Sequence, residues 1–253
     1  MLPHARYLGS VEAMSVEAPG QYSITALLPM RHFSQRVFGK NYRAFVGFPL
    51  YRHVVNALLE SKQIGEIVID TDSPTIIEDC RATYGSQIKI LKRPSHLCAP
   101  EIPMNKVLLN TVSQVAGDYF LQTHSTNPLL QADTISEAVD FFFKGVRSGE
   151  CDSVFSVTKR QVRLWGAGNI PLNHDPMELK QTQDLEPFYE ENSCLFLFSR
   201  EVLMSKKNRI GDNPVMFEID VLEALDIDDV NDFTLAESVA LRRCNTEKGN
   251  GRN

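Results

Sequence analysis

The sequence lacks the features by which several protein classes are recognised. It has no run of about 18 apolar residues, so no transmembrane helix and no membrane partner are expected. The first stretch of the chain contains acidic side chains and lacks the basic-then-apolar order of a secretory signal, which predicts a cytoplasmic protein. The phosphate-binding pattern G-x-x-x-x-G-K-S/T is also missing, which excludes that class of nucleotide site.

Cysteine pairs and excess positive charge are missing as well. The five cysteines are scattered without C-x-x-C spacing, which favours free thiols in a reducing compartment over a disulfide or zinc framework. The net charge is -6, from 26 basic and 32 acidic side chains. That balance argues against a protein that binds nucleic acid by broad attraction to phosphates, so no nucleic-acid partner is expected.

What the sequence does contain is an alternation of short apolar runs with amphipathic stretches. This alternation is typical of repeated β-α units around a mainly parallel sheet, that is, of an α/β fold. The predicted strands are 22–29, 66–70, 88–91, 119–123, 153–158 and 193–199. The predicted helices are 49–62, 74–84, 104–115, 133–147, a segment after residue 199, and 230–242.

One segment interrupts the alternation. Residues 160–191 contain several glycines and prolines and have no clean period, which is typical of a long excursion that forms a binding or contact surface. The main domain is expected to span residues 21–243. Residues 1–20 are predicted to be a flexible extension and residues 244–253 a flexible tail.

The first candidate site is the loop that follows the first predicted strand. It offers the cations Arg31, Arg36 and Lys40, with Ser34 and Asn41 as further hydrogen-bonding groups. Open α/β sheets bind ligands at the carboxyl ends of their strands, and a triphosphate needs donors that neutralise its charge. Charge alone also fits a solvated basic loop.

The second candidate site is an acidic segment near the end of the chain. Asp226 and Asp228 straddle Ile227, so on an extended segment they point to one side. Two such carboxylates suit Mg²⁺, which typically binds one or two carboxylates together with nucleotide phosphates. Asp229 and Asp232 fall where the last helix begins, and helix capping is their expected role. An acidic helix start without a metal is the alternative interpretation.

The third candidate site follows the predicted strand 119–123. Polar side chains crowd this strand end in the sequence QTHSTN, at the same edge of the sheet as the first loop. Such side chains suit a polyhydroxylated ligand. His124 could equally be a structural histidine.

Together these segments resemble the acylneuraminate cytidylyltransferase family, which includes the CMP-sialic acid synthetases and relatives that handle other nonulosonic acids. The resemblance covers residues 22–241, with the segments in the family's order. The matching residues and segments are Pro29, Arg31, Ser34, Lys40, Asn41, 47–50, 70–72, 91–94, 126–129, 152–158, Gln183 and Asp184 with Glu191 and Asn192, and 226–228.

The resemblance implies a Rossmann-like nucleotidyltransferase domain with helices on both faces of the sheet. It implies transfer of CMP from CTP to the anomeric hydroxyl of a 2-keto sugar acid, with Mg²⁺ as cofactor and pyrophosphate as the second product. It also implies a homodimer in which residues 160–191 contact the partner. The alternatives are the same fold acting on another acceptor, KDO-like or phosphonate, or an inactive binding protein.

The resemblance also assigns roles to individual residues. Asp226 and Asp228 would bind magnesium and, with Arg31 and Lys40, form the catalytic set. The residues expected at the nucleotide are Pro29, Met30, Arg31, Ser34, Gln35, Arg36, Lys40, Asn41 and Arg93. The residues expected at the sugar are His124, Thr126, Asn127, Gln183, Asn192 and Phe196.

The sequence departs from the family pattern at several of these positions. Gln35 stands where a phosphate-contacting lysine is usual, and we expect the adjacent Arg36 to supply that charge. Phe48 replaces a second lysine, which favours the inactive alternative, whereas the intact aspartate pair opposes it. The other departures are His32 and Phe33 in place of two glycines and, on the acceptor side, His124, Thr182 and Ser193. The acceptor-side changes argue against assigning sialic acid in particular, so legionaminic acid, pseudaminic acid or a less usual carboxylated acceptor is equally admissible.

Overall fold

The computed structural model describes residues 23–178 and 180–250, with side chains as far as residue 246. Strands and helices are numbered here in chain order. The main sheet is formed by β1 (Ile24–Met30), β4 (Ile64–Thr71), β5 (Lys89–Lys92), β6 (Tyr119–Thr123), β7 (Ser153–Arg160), β10 (Phe188–Ser199) and β11 (Pro214–Glu218). Two small hairpins pair β2 (Ala44–Phe45) with β3 (Phe48–Pro49) and β8 (Trp165–Gly166) with β9 (Ile170–Pro171).

The seven strands of the main sheet follow the order β11-β7-β10-β6-β1-β4-β5. Every neighbouring pair is parallel except the two pairs of β10, which runs antiparallel to both β6 and β7. All residues of β1 are buried, as expected for a strand at the centre of a sheet that is covered on both faces. The prediction of a mainly parallel sheet is confirmed.

Helices cover both faces of this sheet. The helices are α1 (Leu50–Glu60), α2 (Pro74–Tyr84), α3 (Met104–Val112), α4 (Ala132–Ser148), α5 (Arg200–Lys206) and α6 (Val230–Asn250). α1, α2 and α4 pack on one face through Tyr51, Ile76 and Phe142, and α3 and α5 pack on the other through Leu108 and Leu203. The Rossmann-like α/β fold is therefore confirmed. Within the described ranges no helix is long and apolar enough to cross a bilayer.

Several predicted boundaries are wrong. β11 was not predicted, because it is short and its ladder bonds to β7 are invisible in sequence. β7 and β10 extend into the segment predicted to be irregular, with Phe188 paired to Arg160, because backbone pairing holds a polar stretch in strand geometry. α3 ends at Val112, short of 115, and α6 continues to Asn250, so the predicted tail 244–253 begins inside this helix. The predicted extension 1–20 lies outside the described residues.

The topology brings distant loops to one edge of the sheet. β1 lies between β4 and β6, with Leu27 opposite Gln122 and Pro29 opposite Asp70, so the loops after β1 and β6 start side by side. The backbone N–H of Ile227 donates to the carbonyl of Thr126 at 2.8 Å. This bond holds the segment before α6 against the loop after β6.

Candidate active site

A cleft with a volume of about 310 Å³ opens at this edge of the sheet. Three segments line it: the basic loop after β1, the polar loop after β6, and the aspartate segment before α6. The lining residues are Pro29, Arg31, Phe33, Ser34, Gln35, Arg36, Lys40, Asn41, Arg93, Met104, His124, Ser125, Thr126, Asp226 and Asp228. The structure therefore brings together the three segments that the sequence singled out.

Direct ion pairs join the basic loop to the aspartate segment. Arg36 donates from Nη2 to Oδ1 of Asp228 at 2.8 Å. The Nζ atom of Lys40 lies 3.7 Å from the same oxygen and donates to the carbonyl of Ile227 at 2.5 Å. Because two cations approach one carboxylate oxygen, the loop and the aspartates form a single electrostatic unit.

Asn41 fixes the backbone of the basic loop. Its Nδ2 atom donates to the carbonyl of Arg31 at 2.8 Å, and its Oδ1 atom accepts from the Ser125 hydroxyl at 2.7 Å. Gly39 just before it has a φ of 62°, and a Cβ there would meet the ring of Tyr42 at 2.6 Å. The turn that delivers Lys40 to the cleft therefore requires glycine at this position.

The histidine that replaces a glycine of the family pattern anchors the same loop. The backbone N–H of His32 donates to Oδ1 of Asp72 at 2.7 Å, and its Nδ1 atom pairs with Oγ of Ser73 at 2.8 Å. The His32 ring also stacks on Tyr42 with the ring centroids 5.3 Å apart. Side-chain contacts to the start of α2 thus restrain a loop that is glycine-rich in the family pattern.

A reciprocal cap at the start of α6 positions the aspartate segment. Oδ1 of Asp229 accepts from the backbone N–H groups of Asn231 and Asp232 at 2.7 and 3.0 Å. Oδ2 of Asp232 accepts from the N–H groups of Asp228 and Asp229 at 3.0 and 2.9 Å. The predicted capping role of Asp229 and Asp232 is confirmed, and the cap fixes the backbone at Asp228.

The surroundings of the cleft shift the pKa values of two charged groups. Burial lowers the pKa of Lys40, although Asp226 and Asp228 oppose that shift. The Asp226 side chain is open to the cleft, yet the surrounding protein raises its pKa, chiefly by reducing hydration of the carboxylate and against a hydrogen bond from Thr126. Both groups therefore carry charges that water hydrates incompletely. Each would favour a ligand group of the opposite charge, an anion at Lys40 and a cation at Asp226.

The aspartate pair fits a divalent oxygen-binding cation. Asp226 and Asp228 both line the cleft, while the intervening Ile227 is completely buried, so the two carboxylates share one side. Across the described residues no cluster of three His, Cys, Asp or Glu side chains could form a complete metal cage. A pair of carboxylates without thiol or imidazole suits Mg²⁺, which completes its shell with water and phosphate oxygens.

The sequence profile of a family described as Cytidylyltransferase matches residues 25–245. The chain belongs to the cytidylyltransferase family. The cleft, which the basic loop and the aspartate pair line, is therefore the candidate active site.

Curated relatives and solved structures agree with this assignment. The chain is 27% identical over 228 residues to the CMP-N,N'-diacetyllegionaminic acid synthase of Legionella pneumophila, covering 85% of this chain and 95% of the relative. It is 27% identical over 232 residues to the N-acylneuraminate cytidylyltransferase of Oncorhynchus mykiss, covering 87% of this chain but only 50% of that protein. The chain thus spans about half the length of several curated relatives.

A solved structure shares the fold. The CMP:2-keto-3-deoxy-manno-octonic acid synthetase complexed with CTP superposes with a TM-score of 0.65 at 14% sequence identity, covering 87% of this chain and 99% of that one.

Two residues predicted at the nucleotide are less available than the sequence suggested. The Met30 side chain is 2% exposed and packs in the core, so only its backbone could contact a ligand. Arg93 lines the cleft but is also buried, and its Nε atom donates to Oδ1 of Asp70 at 2.5 Å. Asp70 already balances this guanidinium, so Arg93 contributes mainly to the rigidity of the cleft wall.

The residues predicted at the sugar are divided between the cleft and other places. His124 and Thr126 line the cleft, whereas Asn127 is buried and donates to the carbonyl of Leu225 at 3.4 Å. Gln183 is exposed in the excursion, outside the cleft. Asn192 accepts from Ser156 and donates to Thr158 at a bulge of β10, also outside the cleft.

Phe196 is not available as a direct sugar contact. Its side chain has no exposed surface and belongs to the core cluster beneath α3 and α5. The guanidinium carbon of Arg209 lies 3.4 Å from the centre of its ring. The guanidinium of Arg209 thus packs on the buried ring of Phe196, and of the two side chains the arginine is the more exposed.

Sequence reasoning missed several residues of this region. Ser125 and Met104 line the cleft, and Gln122 and Arg209 lie behind His124. Gln122 in β6 and Ser125 just after it belong to the polar sequence QTHSTN and could have been assigned from their positions in it. Arg209 lies in a loop between α5 and β11 without a recognisable pattern, so no sequence signal pointed to it.

Proposed function

We propose that this chain transfers CMP from CTP to the anomeric hydroxyl of a 2-keto sugar acid, a nonulosonic acid such as sialic, legionaminic or pseudaminic acid, and releases pyrophosphate. The observation that carries the proposal is the meeting of Arg31, Arg36 and Lys40 with Asp226 and Asp228 in one cleft. The names of the curated relatives support it, since they describe CMP synthases and cytidylyltransferases of such acids.

The basic loop supplies the charge that phosphoryl chemistry needs. The acceptor oxygen forms a bond to the α-phosphorus while the bond to pyrophosphate breaks, so negative charge grows on the leaving group. The Arg36 side chain is 64% exposed and can turn from Asp228 towards the phosphates, whereas Lys40, at 12% exposed, stays in the wall. Arg36 thereby supplies the charge that Gln35 does not carry.

Magnesium belongs to this proposal as the cofactor. Asp226 and Asp228 would hold it, and when bound it would neutralise phosphate charge and help to align the triphosphate. The backbone hydrogen bond from Ile227 to Thr126 keeps both carboxylates at the mouth of the cleft. Arg36 and Lys40 balance Asp228 until the nucleotide enters.

We also propose a homodimer in the cytoplasm. The excursion between β7 and β10 exposes large apolar side chains, which is typical of a contact surface. These side chains are Val162, Trp165, Ile170, Leu172, Met177 and Phe188. The five free cysteines agree with a reducing compartment.

A pyrophosphate-release assay tests the proposed reaction. CTP and Mg²⁺ are supplied with a panel of sialic acid, N,N'-diacetyllegionaminic acid, pseudaminic acid and 3-deoxy-manno-octulosonate, and the CMP conjugate is identified by mass spectrometry. We expect turnover with a nonulosonic acid and little with ATP, GTP or UTP. Turnover only with 3-deoxy-manno-octulosonate, or only with a phosphonate added to the panel, would favour another acceptor. Binding of CTP without any turnover would favour an inactive homologue.

A further inference from the structure

A half-buried arginine stands behind the cleft with a neutral partner. Arg209 donates from Nη1 to Oε1 of Gln122, and its guanidinium carbon lies over the ring of Phe196, 3.4 Å from the ring centre. It forms no salt bridge with any described carboxylate, although Glu191 is near enough to favour its charge. Burial lowers the pKa of Arg209 to about 10, which still leaves the side chain charged at neutral pH.

The arginine determines which way the Gln122 amide faces. A guanidinium has only donors, so the amide oxygen of Gln122 must face Arg209 and the NH₂ group must face the opposite way. That NH₂ group lies 2.9 Å from Nε2 of His124 and 3.0 Å from the carbonyl of Thr123. The side chain of Gln122 is completely buried, and the direction of each of its three hydrogen bonds is thereby assigned.

The amide in turn determines the state of the histidine. Because the Gln122 NH₂ donates, Nε2 of His124 must accept, and the single proton of the neutral ring must lie on Nδ1. Burial, Arg209 and Lys40 lower the pKa of His124 to about 4, which agrees with a neutral ring. Within the described part of the chain no group pairs with Nδ1, and the ring lines the cleft.

We propose that Arg209 is a positioning residue for the acceptor: through Gln122 it fixes His124 with its proton on Nδ1, and this N–H donates to an oxygen of the bound sugar acid. The identity of the ligand rests on the proposed function. In this state Nε2 is occupied and Nδ1 is protonated, so His124 holds the acceptor and does not act as the base for its hydroxyl.

The tautomer is measured first, without any substrate. Two-bond ¹⁵N–¹H correlations on the full chain with labelled histidine report which ring nitrogen carries the proton, and His124→Gln assigns the signal. We expect the proton on Nδ1. In Gln122→Glu the carboxylate still accepts from Arg209 but no longer donates, so the proton of His124 should move to Nε2. A proton on Nε2 in the unaltered protein, or no change in Gln122→Glu, would overturn the inference.

Kinetics then test the role in acceptor binding. Arg209→Met should raise the KM for the best sugar acid of the panel by about tenfold or more, because one well-placed hydrogen bond is lost, and leave the KM for CTP within about twofold. Arg209→Lys keeps a donor for Gln122 and should show a smaller rise. Gln122→Glu should raise the acceptor KM as Arg209→Met does.

A second arginine provides the control for loss of stacking and stability. Arg200 lies over the ring of Phe120 at 5.1 Å and donates to the carbonyl of Gly117, away from the cleft. Arg200→Met should lower thermal stability and leave the acceptor KM unchanged.

An unchanged acceptor KM in Gln122→Glu despite a moved proton would overturn the acceptor role. If the unaltered enzyme turned over no sugar acid, the proposed function and the acceptor role would both fail, and the tautomer signals would still test the Arg209–Gln122–His124 arrangement.

Discussion

The nucleotide side of the cleft and the excursion between β7 and β10 differ in how completely one chain builds them. On the nucleotide side, Arg36 and Lys40 meet Asp228, and Asn41 ties the loop after β1 to the loop after β6. In the excursion, apolar side chains such as Trp165 and Ile170 are more than half exposed. We propose on this basis that one chain is enough to bind the nucleotide and that a second copy completes the acceptor side.

The largest expected effect breaks the nucleotide side. Asp228→Asn removes one carboxylate of the pair and should lower kcat/KM by about a thousandfold in the pyrophosphate assay, because the proposed Mg²⁺ would lose a ligand and would no longer neutralise the triphosphate. Asp229→Asn is the matched control, since asparagine caps a helix as well as aspartate does. If Asp228→Asn kept full turnover, the metal assignment would be wrong.

The next largest effect concerns the ion pair beneath the nucleotide side. The side chains of Arg93 and Asp70 are each 2% exposed, and Thr111 also donates to Asp70. Arg93→Met leaves a buried carboxylate without its cation and should lower the free energy of unfolding by about 3–5 kcal/mol. Urea denaturation measures this loss. A loss below about 1 kcal/mol would show that the pair does not hold the cleft wall.

A smaller effect is expected in the excursion. Ile170→Asp places a charge on its apolar surface and should convert the proposed dimer to a monomer in sedimentation or light scattering. The acceptor KM should rise by about tenfold while CTP affinity stays within about twofold. Leu235→Asp, at a site on α6 that is also more than half exposed, is the control. A monomeric unaltered chain with full activity would contradict the proposed division of the site.

The smallest expected effect is at an exposed ion pair of the same region. Arg160 donates to Glu190 at 2.7 Å across β7 and β10, with the two side chains 45% and 58% exposed. Arg160→Met should change the free energy of unfolding by less than about 1 kcal/mol, since water screens the pair. A loss as large as that of Arg93→Met would mean that the excursion is packed more tightly than its exposure indicates.

Sequence reasoning succeeded where short patterns determine structure. The buried strand β1, the cap at Asp229 and Asp232, and the same-side aspartates each depend on residues that are adjacent in the chain. The parallel topology then brings strand ends together, which is why the meeting of distant loops could be predicted.

Sequence reasoning failed where packing between residues distant in the chain determines the position of a side chain. Phe196 was predicted to contact the sugar, but its side chain points from β10 into the hydrophobic core, and Arg209 covers its ring. Phe188 lies in a polar stretch that is a strand only because β7 pairs with it. The state of His124 depends on Arg209, which is remote in sequence, so no local pattern could have revealed it.

A crystal structure of the protein with CTP and Mn²⁺ is the most direct test of the central claim, that the basic loop and the aspartate pair hold one triphosphate–metal complex. Mn²⁺ replaces magnesium because its anomalous scattering locates the metal. We expect an anomalous peak in ligand contact with Asp226 and Asp228, with the triphosphate bound to Arg31 and Lys40. A triphosphate or a metal peak bound away from these four side chains would contradict the account.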